Sequence, residues 1–254
     1  MITAEVARNV RVSAHFALVT LCGDELRHLE LAGNDQAVRL FFPRQGQPAL
    51  QMPTLSNDAW MAQLLLQPKS RRPWVRMYTI RASRPGEVDI EVALHGDAGP
   101  GSVWATTARP GDPVGLFDEG HTYRPTDNTA WQLLVGDESA VPAILAILEQ
   151  APLSLVGEAF LEVPTSADIR TDITRPAGVQ VHWLARDNHT MRPGALALGT
   201  VQTAELTGTP LYTWVAGESR LATGLRRYLV NERNIAKSDI SFTGYWRQGR
   251  ASPG

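Results

Sequence analysis

The sequence predicts two domains of different class, an antiparallel β-barrel or sandwich followed by an α/β domain with a parallel sheet. In the first half, short strand-like runs are separated by Gly and Pro, which is typical of antiparallel β proteins. In the second half, apolar strand-like runs alternate with helical segments, which favours a parallel sheet with covering helices. Between them, residues 118–129 are polar, contain proline and lack apolar periodicity, as a linker does. A chain of 254 residues has room for two such domains, which we expect at residues 1–125 and 130–254.

Composition and charge narrow the function classes. The formal net charge of −2 gives no reason to expect a nucleic-acid or acidic-membrane partner. A single cysteine, Cys22, excludes an intramolecular disulfide and an iron–sulfur cluster with several Cys ligands, and no His-x-x-x-His pair suggests a metal site. There is no basic region followed by an apolar run at the N-terminus, and no stretch of about 18 apolar residues. We therefore expect a cytoplasmic protein without membrane insertion.

The strands of the first half are short apolar or alternating runs. A helix is expected at residues 58–66, within a long excursion between strands at residues 44–72. The expected strands are residues 10–12, 17–21, 29–31, 38–42, 75–80, 88–94 and 114–116.

The run Arg-Met-Tyr-Thr-Ile-Arg at residues 76–81 has the alternation of a strand and carries a compact polar and aromatic set. The Arg76 guanidinium can hold a phosphate by two parallel hydrogen bonds. The Tyr78 ring can lie against a flat heterocycle, and Thr79 can hydrogen-bond its edge. These are the requirements of a flavin nucleotide. The alternative is an ordinary half-buried strand with a surface arginine.

A glycine-rich turn follows the next strand, from His95 through Gly96 and Asp97 to Trp104. It leads into an expected short helix at residues 102–108, with Ser102 as its N-cap. Free backbone N–H groups and the helix dipole would suit a pyrophosphate, and His95 can add a hydrogen bond or stack. A plain turn between a loop and a helix remains the alternative.

The second half predicts five strands and three helices. The strands are expected at residues 131–135, 155–163, 179–184, 212–216 and 240–246. The helices are expected at residues 143–148, 194–202 and 219–231.

In such sheets, ligands bind at the carboxyl ends of the strands. No Gly-x-Gly-x-x-Gly is present, but a glycine at a helix start can still receive a pyrophosphate. Asp137 and Glu138 are expected to cap the helix with the backbone facing the ligand, and Arg186 to meet the 2′-phosphate of NADPH. Simple strand-to-helix capping and a surface arginine are the alternatives. The candidates for NAD(P)H contact are Gly136, Asp137, Glu138, Ser139, Arg186, Ala216, Gly217 and Glu218.

Two large aromatic residues, Tyr245 and Trp246, end the last predicted strand and are followed by Arg247. They can cover a flavin ring or line a substrate opening. The alternative is a terminal strand that packs its aromatic side chains into the core.

Five motifs occur in an order that resembles the siderophore-interacting protein family, the flavin-dependent ferric-siderophore reductases. The resemblance covers nearly the whole chain, from about Val10 to Gly249. The motifs are Arg-x-Tyr-Thr-Ile-Arg, His-Gly-Asp-x-Gly-Pro with Trp-Ala, Gly-Asp-Glu-Ser-Ala-Val-Pro-Ala-Ile, Trp-x-Ala-Gly-Glu and Gly-Tyr-Trp-Arg-x-Gly. The chain departs from the family at residues 116–120, where a Gly-Pro-x-Gly-like turn is usual, and at Gly101, where the family pattern has alanine.

The resemblance implies a ferredoxin-reductase-like architecture, in which an antiparallel barrel binds FAD and an α/β domain binds NAD(P)H. It assigns Tyr78 and Thr79 to the reacting ring, as the residues closest to catalysis. The FAD contacts that it implies are Arg76, Tyr78, Thr79, Ala93, His95, Gly96, Asp97, Ser102, Gly244, Tyr245 and Trp246.

The implied reaction carries a hydride from NAD(P)H to the flavin and single electrons on to the iron of a ferric siderophore. Iron is released because the hard oxygen donors of siderophores hold Fe(II) less well than Fe(III). A separate ferredoxin could serve as donor instead, and we expect a monomer. Arg81, Arg247 and Arg250 are candidates for an anionic substrate by sequence proximity. The competing hypotheses are a flavin-dependent oxidoreductase for another acceptor, and a siderophore-binding module without turnover.

Overall fold

The computed structural model divides the chain into two compact units. Among the described residues, the first contains Met1–Ala32 and Gln36–Gly120, and the second contains Gly33–Asp35 and the residues from His121 to Arg250. The structure describes all residues except Pro48, Ser56, Asp58, 96–98, 127–130, His189, 210–211 and 251–254. Two of the predicted FAD contacts, Gly96 and Asp97, therefore lie outside the described residues.

The first unit is a closed six-stranded barrel. Its strands are β1 (Ile2–Ser13), β2 (Phe16–Cys22), β3 (Ala37–Phe42), β4 (Trp74–Arg84), β5 (Glu87–Ala93) and β6 (Pro113–Gly120). Neighbouring strands are hydrogen-bonded in the order β1-β2-β5-β4-β3-β6. Every neighbouring pair is antiparallel, and β1 closes the barrel by pairing with β6. Full closure removes the exposed strand edges that an open sheet would present. The prediction of an antiparallel barrel is confirmed.

The barrel core comes from the alternation of its strands. Val19, Leu40 and Ile90 are completely buried in one cluster, as β-branched and aliphatic side chains on the inner face of a strand should be. Two helices lie beside the barrel, α1 (Trp60–Leu66) and α2 (Pro100–Thr107). The Trp104 ring of α2 stacks on Phe42 with 5.1 Å between centroids, which joins this helix to the core.

Three local predictions for this unit are wrong. Residues 29–31 form no strand but follow a 3-10 helix at Asp24–His28, since two alternating leucines fit an extended loop as well as a strand. Helix α2 begins at Pro100 with Gly99 as N-cap, so Ser102 lies inside the first turn. Strand β6 continues to Gly120, whose positive φ of 74° ends it, so the polar linker begins after the point expected.

The second unit is a five-stranded parallel sheet in the order β11-β10-β7-β8-β9. Its strands are β7 (Trp131–Gly136), β8 (Val156–Val163), β9 (Gly178–Ala185), β10 (Tyr212–Glu218) and β11 (Ile240–Trp246). Its helices are α3 (Val141–Gln150), α4 (Ala195–Thr203) and α5 (Ser219–Asn231). Every residue of β10 is buried, as expected of a central strand that is covered on both faces. The predicted α/β domain is confirmed, with all five strands and three helices at the expected places.

The helices within the described ranges are short. The longest of them, α5, has 13 residues, and none is long and apolar enough to cross a membrane. Among those same residues, no group of three or more His, Cys, Asp or Glu side chains is placed to hold a metal ion.

Candidate functional site

Strand β4 brings Arg76 and Tyr78 to the start of helix α2. Tyr78 is partly buried against the barrel core, opposite Val38 of β3, and Arg76 lies opposite Leu40. The Tyr78 hydroxyl comes so close to Gly101 that a Cβ at that position would overlap it. A side chain at residue 101 would therefore require the Tyr78 hydroxyl to shift, and the two predicted FAD-binding segments meet there.

The turn between β5 and α2 is held by Ser102. Its Oγ accepts the backbone N–H of His95 at 3.0 Å, and the side chain is buried. Ser102 is thus not the N-cap, but it fixes the end of the strand against the start of the helix. Ala93, the last residue of β5, is half-buried and pairs with Phe16 of β2.

Two arginines lie against the Trp74 ring, and neither has an acidic partner among the residues that the structure describes. The guanidinium carbon of Arg44 lies 3.7 Å from the Trp74 ring centroid and that of Arg76 lies 5.3 Å from it. Arg76 donates to the carbonyl of Val75 at 2.6 Å, and no carboxylate within the described residues pairs with it. Two neighbouring cations without an acid form a site for an anion.

Burial shifts the pKa of both candidate side chains on β4, Arg76 and Tyr78. Burial lowers the pKa of Arg76, Tyr78 partly offsets this shift, and the charge of Arg44 adds to it. Burial also raises the pKa of Tyr78, against the opposing effect of Arg76, so the phenol is neutral at physiological pH. An uncompensated guanidinium and a neutral aromatic ring match the phosphate and ring system of a flavin nucleotide.

The other β4 candidates differ in their surroundings. Thr79 is buried and pairs with Ala37 of β3. Arg81, expected near an anionic substrate, lies with its Nε 3.6 Å from a carboxylate oxygen of Glu91, so its charge is already balanced. Arg247 and Arg250, at the end of the second unit, are exposed and form an isolated backbone bridge with each other.

In the second unit, Asp137 ties the end of β7 to the end of β10. Its carboxylate accepts the N–H and Oγ–H of Ser139 at 2.9 and 2.6 Å, and the N–H of Glu218 at 2.6 Å. Burial, and then the charge of Glu138, raise the pKa of Asp137 to about 7. Gly217, with a φ of 132°, lies against this carboxylate, which a Cβ would overlap. The N-cap of α3 is Ala140, so the expected capping by Asp137 and Glu138 is wrong.

Arg186 follows β9 and is enclosed by two carboxylates. It donates to Glu138 at 2.7 and 2.9 Å and to Glu162 at 2.6 Å, and its side chain is only 8% exposed. Burial alone would lower the pKa of Arg186, but the bonds to Glu138 and then Glu162 outweigh it and raise that pKa. A 2′-phosphate could meet this guanidinium only by displacing a buried carboxylate, which weighs against the expected role of Arg186.

Glu162 is a residue that sequence reasoning missed. Besides Arg186, it accepts the N–H groups of Gly194 at 2.7 Å and Ala197 at 2.8 Å, and so holds the N-terminus of α4. The signal that could have found it is a carboxylate between apolar residues near the end of a buried strand, because such a charge must be paired.

Small residues line up where three neighbouring strands end. Ala216 of β10 lies beside Gly136 of β7, and Gly217 lies beside Gly244 of β11. Glu218 caps α5 by accepting the N–H of Arg220 at 2.6 Å. These residues carry little side-chain bulk, but Gly136, Ala216 and Gly217 are buried and Gly244 is exposed. The structure thus brings together the predicted candidates of the second unit.

The aromatic end of β11 adjoins this edge. Trp246 lies opposite Glu218 in the sheet, and its carbonyl accepts the Ser219 hydroxyl at 2.8 Å. Tyr245 and Trp246 are both partly buried. The strand end is therefore fixed to the start of α5, next to the small residues.

Both parts of the chain match models of known protein families. Residues 5–122 match the family model of the siderophore-interacting FAD-binding domain, and residues 129–249 match that of the siderophore-interacting protein. A ferric vibriobactin reductase, ViuB of Vibrio cholerae, is 34% identical over 249 residues, which are 97% of this chain and 89% of that protein.

Solved structures lead to the same conclusion about the family and the fold. A siderophore utilization protein from T. fusca superposes with a TM-score of 0.85 at 28% identity, and the match covers 100% of this chain and 95% of the other. The ferredoxin reductase of carbazole 1,9a-dioxygenase, at 16% identity, shares the fold with a TM-score of 0.66 over 96% of this chain and 69% of that one. The fold is ferredoxin-reductase-like, and the chain belongs to the siderophore-interacting protein family.

Proposed function

We propose that this protein is an FAD-dependent reductase of ferric siderophores. The observation that carries the proposal is the position of Arg76 on β4, which no carboxylate of the described residues pairs with and which lies two residues from Tyr78, the residue that contacts Gly101. The name of the Vibrio cholerae relative, a ferric vibriobactin reductase, supports the same substrate class.

The residues of the barrel fit FAD. When bound, FAD supplies the conversion between an electron pair from the donor and single electrons for the iron. Arg76 would hold a phosphate, Tyr78 would lie against the ring, and Thr79 would hydrogen-bond the edge of the ring. Ser102, His95 and Ala93 would shape the turn beside the pyrophosphate, and the family resemblance makes Gly244, Tyr245 and Trp246 further proposed FAD contacts.

The electron donor in this proposal is a nicotinamide nucleotide. It would bind near Gly136, Ala216, Gly217 and Gly244, at the carboxyl ends of their strands, where ligands of such sheets bind. Asp137, Glu138 and Glu218 would stabilise this end of the sheet and not contact the ligand, because their side-chain oxygens already accept hydrogen bonds within the protein. We expect no preference for NADPH from Arg186, since two carboxylates neutralise it. A ferredoxin is the alternative donor.

Iron release follows from coordination chemistry. Siderophores bind iron through hard oxygen donors, which hold Fe(III) more tightly than Fe(II). The protein needs no general acid or nucleophile for this step. Its contribution is to hold the cofactor and to admit donor and substrate. We place the reaction in the cytoplasm, where reduced nicotinamide nucleotides are available, and propose that the protein acts as a monomer.

The test is an anaerobic visible spectrum of the protein with FAD. NADH, NADPH or reduced ferredoxin is then added, followed by a panel of ferric siderophores with a ferrous chelator. We expect the flavin to bleach with its donor and to reoxidise as ferrous iron appears. Bleaching with turnover of a quinone but of no ferric siderophore would favour another acceptor. Siderophore binding without any electron transfer would favour a binding module.

A substitution tests the cofactor site. We expect Arg76→Ala to raise the Kd for FAD about 10- to 100-fold, since hydrogen bonds to charged groups contribute about 1.5–3 kcal/mol. The control is Arg27→Ala, because Arg27 is an exposed arginine of the same barrel. Unchanged FAD affinity in Arg76→Ala would refute the assignment of the site.

A further inference from the structure

Helix α1 carries apolar side chains on its exposed side as well as on its buried side. Trp60 and Leu64 are buried in a cluster of the first unit. Met61 and Leu65 each lie about 100° around the helix from one of these residues and are 46% and 56% exposed, and the next residue, Leu66, is 85% exposed. Met61 and Leu65 are neighbours on the helix surface because they are four residues apart. A surface helix ordinarily places polar side chains on its exposed side, whereas this helix exposes apolar side chains to solvent there.

The exposed leucines are presented by a well-anchored segment. The Trp60 ring lies 5.4 Å from that of Phe41 and 5.5 Å from that of Phe117, measured between centroids. After the helix, the Arg72 guanidinium donates to the carbonyls of Leu65 at 2.6 Å and Gln67 at 3.1 Å. The apolar face is therefore a fixed feature of the fold, and exposed apolar patches of this kind mark interaction sites.

The same segment has a basic charge. Residues 44–72 contain four basic residues and one acid, whereas the whole chain has a net charge of −2. Lys69 and Arg71 follow the helix and are exposed, and neither forms an ion pair with the residues that the structure describes. An apolar face that is followed in the sequence by two cations, with no ion pair to any residue in the described part of the chain, is complementary to a surface that is apolar inside and anionic outside.

We propose that this face docks on an anionic lipid membrane. Met61, Leu65 and Leu66 would enter the boundary between headgroups and acyl chains, while Lys69 and Arg71 would contact lipid phosphates. A second copy of the chain fits less well, since a two-fold interface would bring the same cations against each other. The inference does not depend on the proposed reductase activity.

The test is co-sedimentation of the full protein with vesicles of phosphatidylcholine alone and of phosphatidylcholine mixed with phosphatidylglycerol. We expect binding to the mixed vesicles that weakens as salt is raised. Leu65→Ser with Leu66→Ser should weaken partitioning at least about tenfold, because the favourable free energy of transferring two leucine side chains from water is lost. Lys69→Glu with Arg71→Glu should weaken binding to the mixed vesicles to a similar extent.

The matched control is Leu153→Ser, because Leu153 is an equally exposed leucine of the second unit at 89%. It should bind vesicles as the unaltered protein does, and circular dichroism should show that all variants are folded. No binding to mixed vesicles, or an equal loss in Leu153→Ser, would overturn the proposal. So would a dimer in light scattering that Leu65→Ser with Leu66→Ser dissociates while vesicles are not bound.

Discussion

Replacing Arg186 by glutamine should destabilise the second unit severely. The side chain is only 8% exposed and makes three charged hydrogen bonds, two to Glu138 and one to Glu162. Both carboxylates are buried, at 1% and 0% exposure. Without the guanidinium they would face each other in a site that water hardly reaches.

The expected magnitude follows from this burial. Breaking a buried ion pair by removing one partner costs about 3–5 kcal/mol, because an uncompensated charge remains. A domain of this size has a stability of about 5–15 kcal/mol, so Arg186→Gln should remove a large part of it. The double variant Glu138→Gln with Arg186→Gln should lose less, because one of the two unpaired charges is gone.

The loss should depend on pH. Protonation removes the uncompensated charge of a buried carboxylate, so the deficit of Arg186→Gln should be smaller at about pH 5 than at about pH 8. The measurement is urea unfolding followed by circular dichroism at both pH values, with Arg27→Gln as an exposed control. A deficit below about 1 kcal/mol at both values would refute the reasoning. Normal stability with weakened NADPH binding would restore Arg186 as a 2′-phosphate contact.

Two other substitutions test the site from different directions. Gly101→Ala should weaken FAD binding about tenfold in a fluorescence titration, because its Cβ meets the Tyr78 hydroxyl, whereas Gly99→Ala has open space and should bind normally. Equal effects of the two variants, or no recovery when Tyr78→Phe is added to Gly101→Ala, would contradict this contact. Because burial and then Glu138 raise the pKa of Asp137 to about 7, the folded protein keeps a proton that the unfolded chain has lost, so stability falls as the pH rises from about 4 to about 7. Asp137→Asn should flatten that dependence in urea unfolding, and an unchanged slope would assign it to another group.

The strands and helices could be predicted because their periodicity is local. The alternation of β4 and the continuous apolar run of β7 each identify a strand without knowledge of its neighbours. The same reasoning failed at Leu29 and Leu31, which pack against the barrel core from a loop. Two apolar residues spaced as in a strand do not reveal whether a partner strand is available to bond them.

The sequence alone suggested candidate residues for the site, but it did not reveal which charged neighbours contact them in the fold. Arg76 and Tyr78 stand out because an arginine and an aromatic residue alternate in one strand. The neighbour Arg44 gives no such signal, since the contact that places it on Trp74 depends on the return of the chain after a long excursion. Likewise, Arg186 looks like a phosphate ligand until Glu162, from another strand, is seen to neutralise it.

Arg44 and Arg76 of the barrel differ from Arg186 of the α/β unit in their acidic partners, and this difference bears on the ligand that each could bind. Among the described residues no carboxylate pairs with Arg44 or Arg76, so a bound phosphate would meet a full and partly desolvated charge. The α/β unit pairs its buried Arg186 with two acids and leaves mainly glycine and alanine backbone at the sheet edge. A phosphate there gains backbone hydrogen bonds without a strong ion pair. We therefore assign tight binding of a resident cofactor to the barrel and weaker, exchangeable binding of the electron donor to the sheet edge. Repeated turnover requires this division, because the donor must leave after each electron pair while the flavin stays.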